Sequence, residues 1–232
     1  MTQVVPVMQA VPVITVDGPA ASGKGTVAAG VAAALGFHLL DSGALYRLVA
    51  LRALATTTPL DDAVRLAALA NALDAAFDGA AIRLAGDDVS EALRGEDVSV
   101  AASHVAVHPA VRAALTTRQR AFRTPPGLVA DGRDMGTVIF PDATVKVFVT
   151  ASVDERARRR HKQLITKGIS VTIESLLREI AARDARDAGR ATAPLAEARD
   201  AVRLDTTGRT PEASIAEVLA LCRARGMAAA KS

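Results

Sequence analysis

Val11-Pro12-Val13-Ile14-Thr15-Val16-Asp17-Gly18-Pro19-Ala20-Ala21-Ser22-Gly23-Lys24-Gly25-Thr26 carries an apolar, β-branched run into a glycine-rich loop and then into an alanine-rich segment. The pattern G-x-x-x-x-G-K, from Gly18 to Lys24, is a phosphate-binding loop. Its glycines let the backbone curl so that successive N–H groups point at phosphate oxygens. The helix beginning near Lys24 adds the positive end of its dipole, and the lysine adds a mobile charge. A motif this short recurs by chance; the strand before it and the helix after it make it a site. The stretch therefore predicts a nucleotide triphosphate bound by an α/β fold, with Gly18, Pro19, Ala20, Ala21, Ser22, Gly23, Lys24, Gly25 and Thr26 as its cradle.

The rest of the chain fits one such domain. Its 232 residues are enough for a single sizeable core, and half are hydrophobic. Aromatics make up only 3%, so alanine, valine and leucine must fill that core. The lone Cys222 excludes an intrachain disulfide and fits a reducing cytoplasm. No Lys or Arg precedes Lys24, so the apolar leader lacks a secretory signal's charged start, and no run reaches the length of a membrane span. Met1 to Ala10 reads as a loose tail, with Met8 a second candidate start. The net charge is +3 although the pI is about 9.4. A nucleic-acid binder would show more bulk basicity and aromatics for stacking. The basic charge is instead local, between Arg156 and Arg190, which favours a small phosphate-bearing ligand.

Strand and helix signals alternate along the chain. Helices are expected at Thr26–Leu35, Ala44–Ala55 and Asp61–Leu73, then one or two over Ser99–Phe122, bent near Pro109. A further helix starts after the cap residue Ser152, and Pro211–Arg225 closes the chain. Strands are expected at Phe37–Leu40, Leu128–Ala130, Val145–Thr150 and Ala201–Leu204, with a hairpin of Ile82–Leu84 and Val89–Leu93. This alternation predicts a parallel sheet with helices on both faces.

Ligands of such sheets bind beyond the carboxyl ends of the strands. Three strands end there in polar clusters: Asp17-Gly18, Asp41-Ser42-Gly43 and Asp131-Gly132-Arg133-Asp134. Each alone reads equally as a turn; together with a phosphate loop they read as an active-site rim. Asp131 stands where such proteins keep a carboxylate for magnesium, often through water, and no direct metal ligand is assigned. Asp134, beside Arg133, suits contact with a second ligand. Ser42, Tyr46 and Arg47 open the following helix. Arg183, Arg186, Asp187 and Arg190 fall at i, i+3, i+4 and i+7, one helical face. That face is either solvated and internally paired or a set of fixed guanidinium groups for a transferring phosphoryl group. Arg156, Arg158, Arg159 and Arg160 admit the same two readings.

The loop GPAASGKGT, the segment LLDSGALYR (Leu39–Arg47), RQRAFRTPPGLVADGRDMGTVIFPDA (Arg118–Ala143) and ARDARDAGRATAPL (Ala182–Leu195) together resemble the bacterial cytidylate kinases, in that family's order across nearly the whole chain. DGRDMGTV is far more specific than any phosphate loop. The resemblance implies a P-loop nucleoside-monophosphate kinase fold. Its core would cover 1–59, 113–152 and 191–232, with a monophosphate-binding insert at 60–112 and a lid at 153–190. It implies ATP and Mg2+ as cofactors, CMP or dCMP as substrate, no nucleic-acid or membrane partner, and a cytoplasmic enzyme working as a monomer. By position, Ser103, Arg112 and Asp134 would read cytosine, and Arg47, Arg133 and Arg183 would hold the phosphate or sugar with Ser42 and Tyr46 nearby. Asp187 and Arg190 would reach the ribose or phosphates, and Arg159 would meet ATP from the lid. Lys24, Arg133, Arg159 and Arg183 would carry catalysis.

Cytosine recognition also follows from hydrogen-bond chemistry. Cytosine presents an N4 amino donor where uracil presents an acceptor, so a carboxylate such as Asp134 favours the former, while Arg112 donates to N3 and O2. Two departures stand out. Gly25 occupies the position where common phosphate loops place Ser or Thr, with the hydroxyl one residue later on Thr26. Ala20-Ala21 replaces the family's frequent Ser-Gly. Rival readings are a kinase of the same fold acting on UMP, AMP or a non-nucleotide, a GTPase-like switch, which would need an N-K-x-D motif the chain lacks, and a basic nucleic-acid-binding module.

Overall fold

The structure, a computed structural model, describes residues 11–78 and 81–227; the expected tail Met1 to Ala10 lies outside them. Five parallel strands form the main sheet in the order β2-β6-β1-β7-β8: β1 (Val13–Asp17), β2 (His38–Asp41), β6 (Leu128–Gly132), β7 (Val145–Thr150) and β8 (Val202–Asp205). β1 lies at the centre, with Val13 beside Leu128 on β6 and Ile14 beside Val145 on β7. Its near-continuous apolar sequence follows from burial on both faces. Ile14 and Val16 join Val129, Val147 and Val149 against α1 (Lys24–Leu35) and α8 (Pro211–Ala224). Val13, Leu40, Leu128 and Ala130 face the opposite core, built with α2 (Ser42–Ala55), α3 (Ala63–Asn71), α4 (Glu96–Val105) and α5 (Pro109–Ala121).

The local chemistry that starts several of the helices is visible. Asp41 caps α2 by accepting from Ala44 N at 3.2 Å, and Ser152 caps α6 (Val153–Thr166) by accepting from Glu155 N at 3.2 Å. Asp62 caps α3, which makes that helix shorter than the expected Asp61–Leu73. Pro109 starts α5 at its first turn, where its missing N–H costs nothing. The Ser99–Phe122 segment is accordingly two separate helices.

The small hairpin differs from expectation. A three-stranded antiparallel sheet forms from β3 (Ala75–Asp78), β4 (Ala81–Leu84) and β5 (Asp87–Asp88). Val89–Leu93 is not a strand, because Asp88 Oδ1 accepts from both Ser90 N and Ser90 Oγ and bends the chain. A 3-10 turn at Ala92–Arg94 follows, burying Leu93. α6 and α7 (Ile173–Ala188) pack on each other through a small core of their own, Ala157, Leu164, Leu176 and Ile180. Among the described residues no helix is long and apolar enough to cross a membrane.

Candidate active site

The phosphate loop fills the gap between β1 and α1. A Cβ on Gly18 would stand 2.1 Å from the Val149 carbonyl oxygen, so only glycine lets the loop leave β1 this close to β7. Gly23, at φ 88°, caps α1 in the left-handed region. Ala21 also adopts that region, at φ 57°. Left-handed backbone costs a residue with a Cβ about 1–2 kcal/mol, and glycine returns about 0.4–1 kcal/mol of that through unfolded-chain entropy. Ala21→Gly is therefore expected to raise stability by about 0.5–1 kcal/mol, a gain of about 2 °C in the unfolding midpoint of the nucleotide-free protein, read by differential scanning calorimetry.

Lys24 Nζ stands 3.0 Å from Asp131 Oδ1 at the end of β6. Burial pulls the lysine below its ordinary pKa and pushes Asp131 above its own, with their mutual attraction opposing both shifts. This pair explains the departure at position 25. A Cβ on Gly25 would lie 3.2 Å from Asp131 Oδ2, so glycine leaves room for the carboxylate beside the lysine.

A cavity opens in front of the loop, and it is lined by Lys24 together with Ser42, Tyr46, Arg47, Ser103, Arg112, Arg133, Asp134, Arg183, Asp187 and Arg190. The expected acceptor-side residues thus converge from α2, α4, α5, the end of β6 and α7. Its walls contain two buried charge networks. Arg112 and Asp134 pair directly, both nearly inaccessible, with the guanidinium 5.6 Å from the Tyr46 ring centroid. Only Asp134 Oδ2 is used in that pair. Asp187 accepts from Arg133 Nε at 2.9 Å through one oxygen and from Arg190 through the other. Burial alone would raise its pKa, but these two guanidinium groups hold it below the usual carboxylate range. Ser42 Oγ donates to the Asp131 carbonyl at 2.8 Å, and Arg47 pairs with Asp41 at 2.5 Å.

Arg183 is different. Its one side-chain hydrogen bond among the described residues is a long one, 3.4 Å to Ser99 Oγ, and it has no carboxylate partner there. Burial, then the neighbouring Arg133, pushes its pKa down to about 10. It remains a cation at neutral pH, held among cations.

A second opening runs along the loop and shares Lys24, Arg47, Arg160 and Arg183 with the first cavity. A third, wider and more apolar, lies beyond it between Thr26, Val27, Leu164 and Pro211. Arg160 borders all three openings, whereas the family resemblance assigned a site role only to its neighbour Arg159. Arg159 lines the third opening alone, donating to the Ser22 carbonyl at 3.1 Å and the Thr206 carbonyl at 2.7 Å. Arg156 and Arg160, four residues apart on α6, share the inward face; that spacing was the available signal. Arg156 is buried in a pair with Asp184 that joins α6 to α7, whereas Arg158 is exposed and pairs with Glu155. Asp41 and Ser99 also line the first cavity without having been anticipated there as ligand contacts.

The single helical face expected for Arg183, Arg186, Asp187 and Arg190 is corrected in two respects. α7 stops at Ala188, so Arg190 reaches the cavity from the segment after Gly189. Arg186 lies outside the cavity wall and donates to Ser103 Oγ at 3.2 Å. Among the described residues no group of three His, Cys, Asp or Glu side chains is arranged to cage a metal.

Comparison with known proteins shows the family. A sequence model of the cytidylate kinase family covers residues 14–224. A cytidylate kinase of Burkholderia mallei (strain NCTC 10229) is 60% identical over 218 residues, which are 94% of this chain and 96% of that protein. One of Bordetella bronchiseptica is 57% identical over 93% of this chain and 96% of its own length. Among solved structures, an uncharacterized protein from Eubacterium ventriosum aligns over 91% of this chain and 98% of its own with a TM-score of 0.51 at 11% identity, a likeness of fold alone. With the family pattern spanning nearly all of a chain whose phosphate loop opens onto one charged cavity, this protein belongs to the cytidylate kinase family.

Proposed function

We propose that the protein transfers the γ-phosphoryl group of ATP to CMP or dCMP, releasing ADP and CDP or dCDP. The observation that carries this reading is the continuity of the site. Arg183, without a carboxylate partner among the described residues, stands at the junction of two openings with Lys24 and Arg47, and a buried Arg112–Asp134 pair lines the same cavity. The cationic junction suits two phosphates meeting, and the Arg112–Asp134 pair suits a base bearing both a donor and acceptors.

In this reading the loop amides and Lys24 hold the β- and γ-phosphates of ATP, whose base enters the apolar opening beside Arg159. Arg47, Arg133 and Arg183 hold the acceptor phosphate, with Ser42 nearby, while Asp187 keeps Arg133 and Arg190 aligned. An oxygen of the CMP phosphate attacks the γ-phosphorus and ADP leaves. That oxygen is already a competent nucleophile, so no general base or covalent enzyme intermediate is required. Positioning and charge neutralisation carry the rate. One buried carboxylate, Asp131, beside phosphates and water is the donor set Mg2+ accepts, in contrast to a cage of protein ligands. Held there through water, the ion would neutralise phosphate charge.

Asp134 Oδ1, which makes no hydrogen bond among the described residues, is available to accept from the N4 amine, with Arg112 donating to N3 or O2. UMP would set a carbonyl oxygen against that carboxylate, a mismatch of about 1–3 kcal/mol. The expected 60–112 insert and 153–190 lid are supported by contacts across the cleft. Arg160 pairs with Glu96, Lys167 Nζ donates to the Arg94 carbonyl at 3.3 Å, and Arg186 reaches Ser103. A lid that closes over the phosphates would keep water from the γ-phosphoryl group. We place the enzyme in the cytoplasm, whose reducing conditions suit its single, buried Cys222, and take it to work as a monomer.

The direct test is a panel of CMP, dCMP, UMP and AMP with ATP, read by a coupled ADP assay. CMP and dCMP are expected to exceed UMP in kcat/KM by at least about tenfold. A preference for UMP or AMP would overturn the assignment.

A further inference from the structure

Asp17 is the last residue of β1, directly before Gly18 of the phosphate loop. Its side chain is buried, yet among the described residues it has no cationic partner. It accepts instead two backbone hydrogen bonds, Met135 N to Oδ1 and Gly136 N to Oδ2, each 2.8 Å. Those amides open the tight turn Met135–Ile139 that follows Arg133 and Asp134. The turn folds back on Asp134, whose carbonyl accepts from Val138 N at 2.9 Å and Ile139 N at 3.2 Å. Fixing its first two amides therefore fixes the backbone from which Asp134 reaches Arg112.

We propose that Asp17 is a positioning residue, bracketing the phosphate loop to the turn that carries Arg133 and Asp134 and so setting the acceptor nucleotide in register with the donor phosphates. Four observations converge on it. First, the carboxylate is costly where it stands: burial, with Asp134 and Asp131 nearby, pushes its pKa up to about 7 despite the two amide donors. A turn needing only one anchor would be held by a neutral side chain without that cost. Second, the bracket is bidentate, and only a carboxylate offers an acceptor oxygen to both amides at once. Third, the turn is shaped to receive it. A Cβ on Gly136 would stand 2.7 Å from Thr15 Oγ1 and 3.4 Å from Asp17 Oδ2, so glycine lets the amide reach the carboxylate. Fourth, Asp17 and Gly132 are register partners across β1 and β6, so the bracket continues the sheet beyond its last backbone pairing. In sequence Asp17 reads as part of the rim without a role of its own, because its partners are far along the chain.

This inference rests on the acceptor reading given above. A wild-type protein that failed to phosphorylate CMP would sink that reading, whereas this inference is decided by the comparison of variants. Asp17→Asn keeps the shape but sets an NH2 group against one of the two amides. Its KM for CMP is expected to rise about tenfold and its CMP-to-UMP ratio of kcat/KM to fall at least about threefold, with KM for ATP within about twofold. A purely structural role would lower the unfolding midpoint while leaving both KM values and the CMP-to-UMP ratio of the folded enzyme unchanged, and that result overturns the proposal, as does an equal rise in both KM values. If Asp17→Asn does not fold, Asp17→Glu, which keeps both acceptor oxygens but displaces the turn, decides by the same acceptor-confined pattern. Loss of fold in both variants also overturns it.

Discussion

Arg183→Ala is expected to lower kcat with CMP about 10²–10³-fold, while KM for ATP changes by no more than about threefold. The size of the effect follows from what Arg183 lacks. Arg133, Arg47 and Arg112 each have a carboxylate partner, Asp187, Asp41 and Asp134 respectively. Arg183 has none among the described residues, and burial together with Arg133 lowers its pKa to about 10. A cation in that state gains most when an anion arrives, and gains more as charge develops on the transferring phosphoryl oxygens. The guanidinium is held at the junction by α7, so it does this without reorganising. Because the free protein bears the cost of crowding it among like charges, removing it should leave the unfolding midpoint unchanged or raise it. Arg183→Lys restores charge without the planar fork and should recover only part of the loss. Steady-state kinetics on both variants, with the midpoint measured alongside, checks this; a kcat for Arg183→Ala within threefold of wild type would exclude a transition-state role.

How much of this was legible in the sequence depends on whether the deciding signal was local. The phosphate loop, the β-branched Val145–Thr150 strand and the cap at Ser152 announce themselves within a few residues, and all three stand where they were expected. The Asp131-Gly132-Arg133-Asp134 cluster was legible as a strand end, which places it on the site's rim. The strand Ala75–Asp78 was not, because alanine carries little strand preference and its pairing with Ala81–Leu84 supplies the order. Arg160 was legible only as one of four arginines with two readings, because what singles it out is α6 facing α4, where Glu96 meets it. The glycine at position 25 looked like a departure from the common loop until the distant Asp131 supplied its reason. Arg190 shows the converse limit, since the helical period that grouped it with Arg183 ends at Ala188, and a different backbone path brings it to the same cavity.

Asp134→Asn should collapse the preference for CMP over UMP by at least about tenfold in kcat/KM, with KM for ATP nearly unchanged. Asparagine, not alanine, is the informative replacement. Asp134 is the ion-pair partner of Arg112, and both are buried. Truncation to alanine would leave that guanidinium uncompensated, a loss of about 3–5 kcal/mol that would confound selectivity with stability. The asparagine oxygen still accepts from Arg112, and the amide keeps the side chain's shape. What changes is the group offered to the base. A carboxylate only accepts, so it takes the N4 amine of cytosine and repels the O4 of uracil. With its oxygen held by Arg112, the amide presents to the base its NH2, which donates to the O4 of uracil and meets the N4 amine of cytosine donor to donor. The variant should therefore lose rate with CMP and gain it with UMP, a crossed change that a merely loosened cavity does not produce. Measuring kcat/KM for both nucleotides at saturating ATP separates the outcomes. Equal losses for CMP and UMP would mean that Asp134 only supports Arg112, and that the base is read by Arg112 and Ser103 without it.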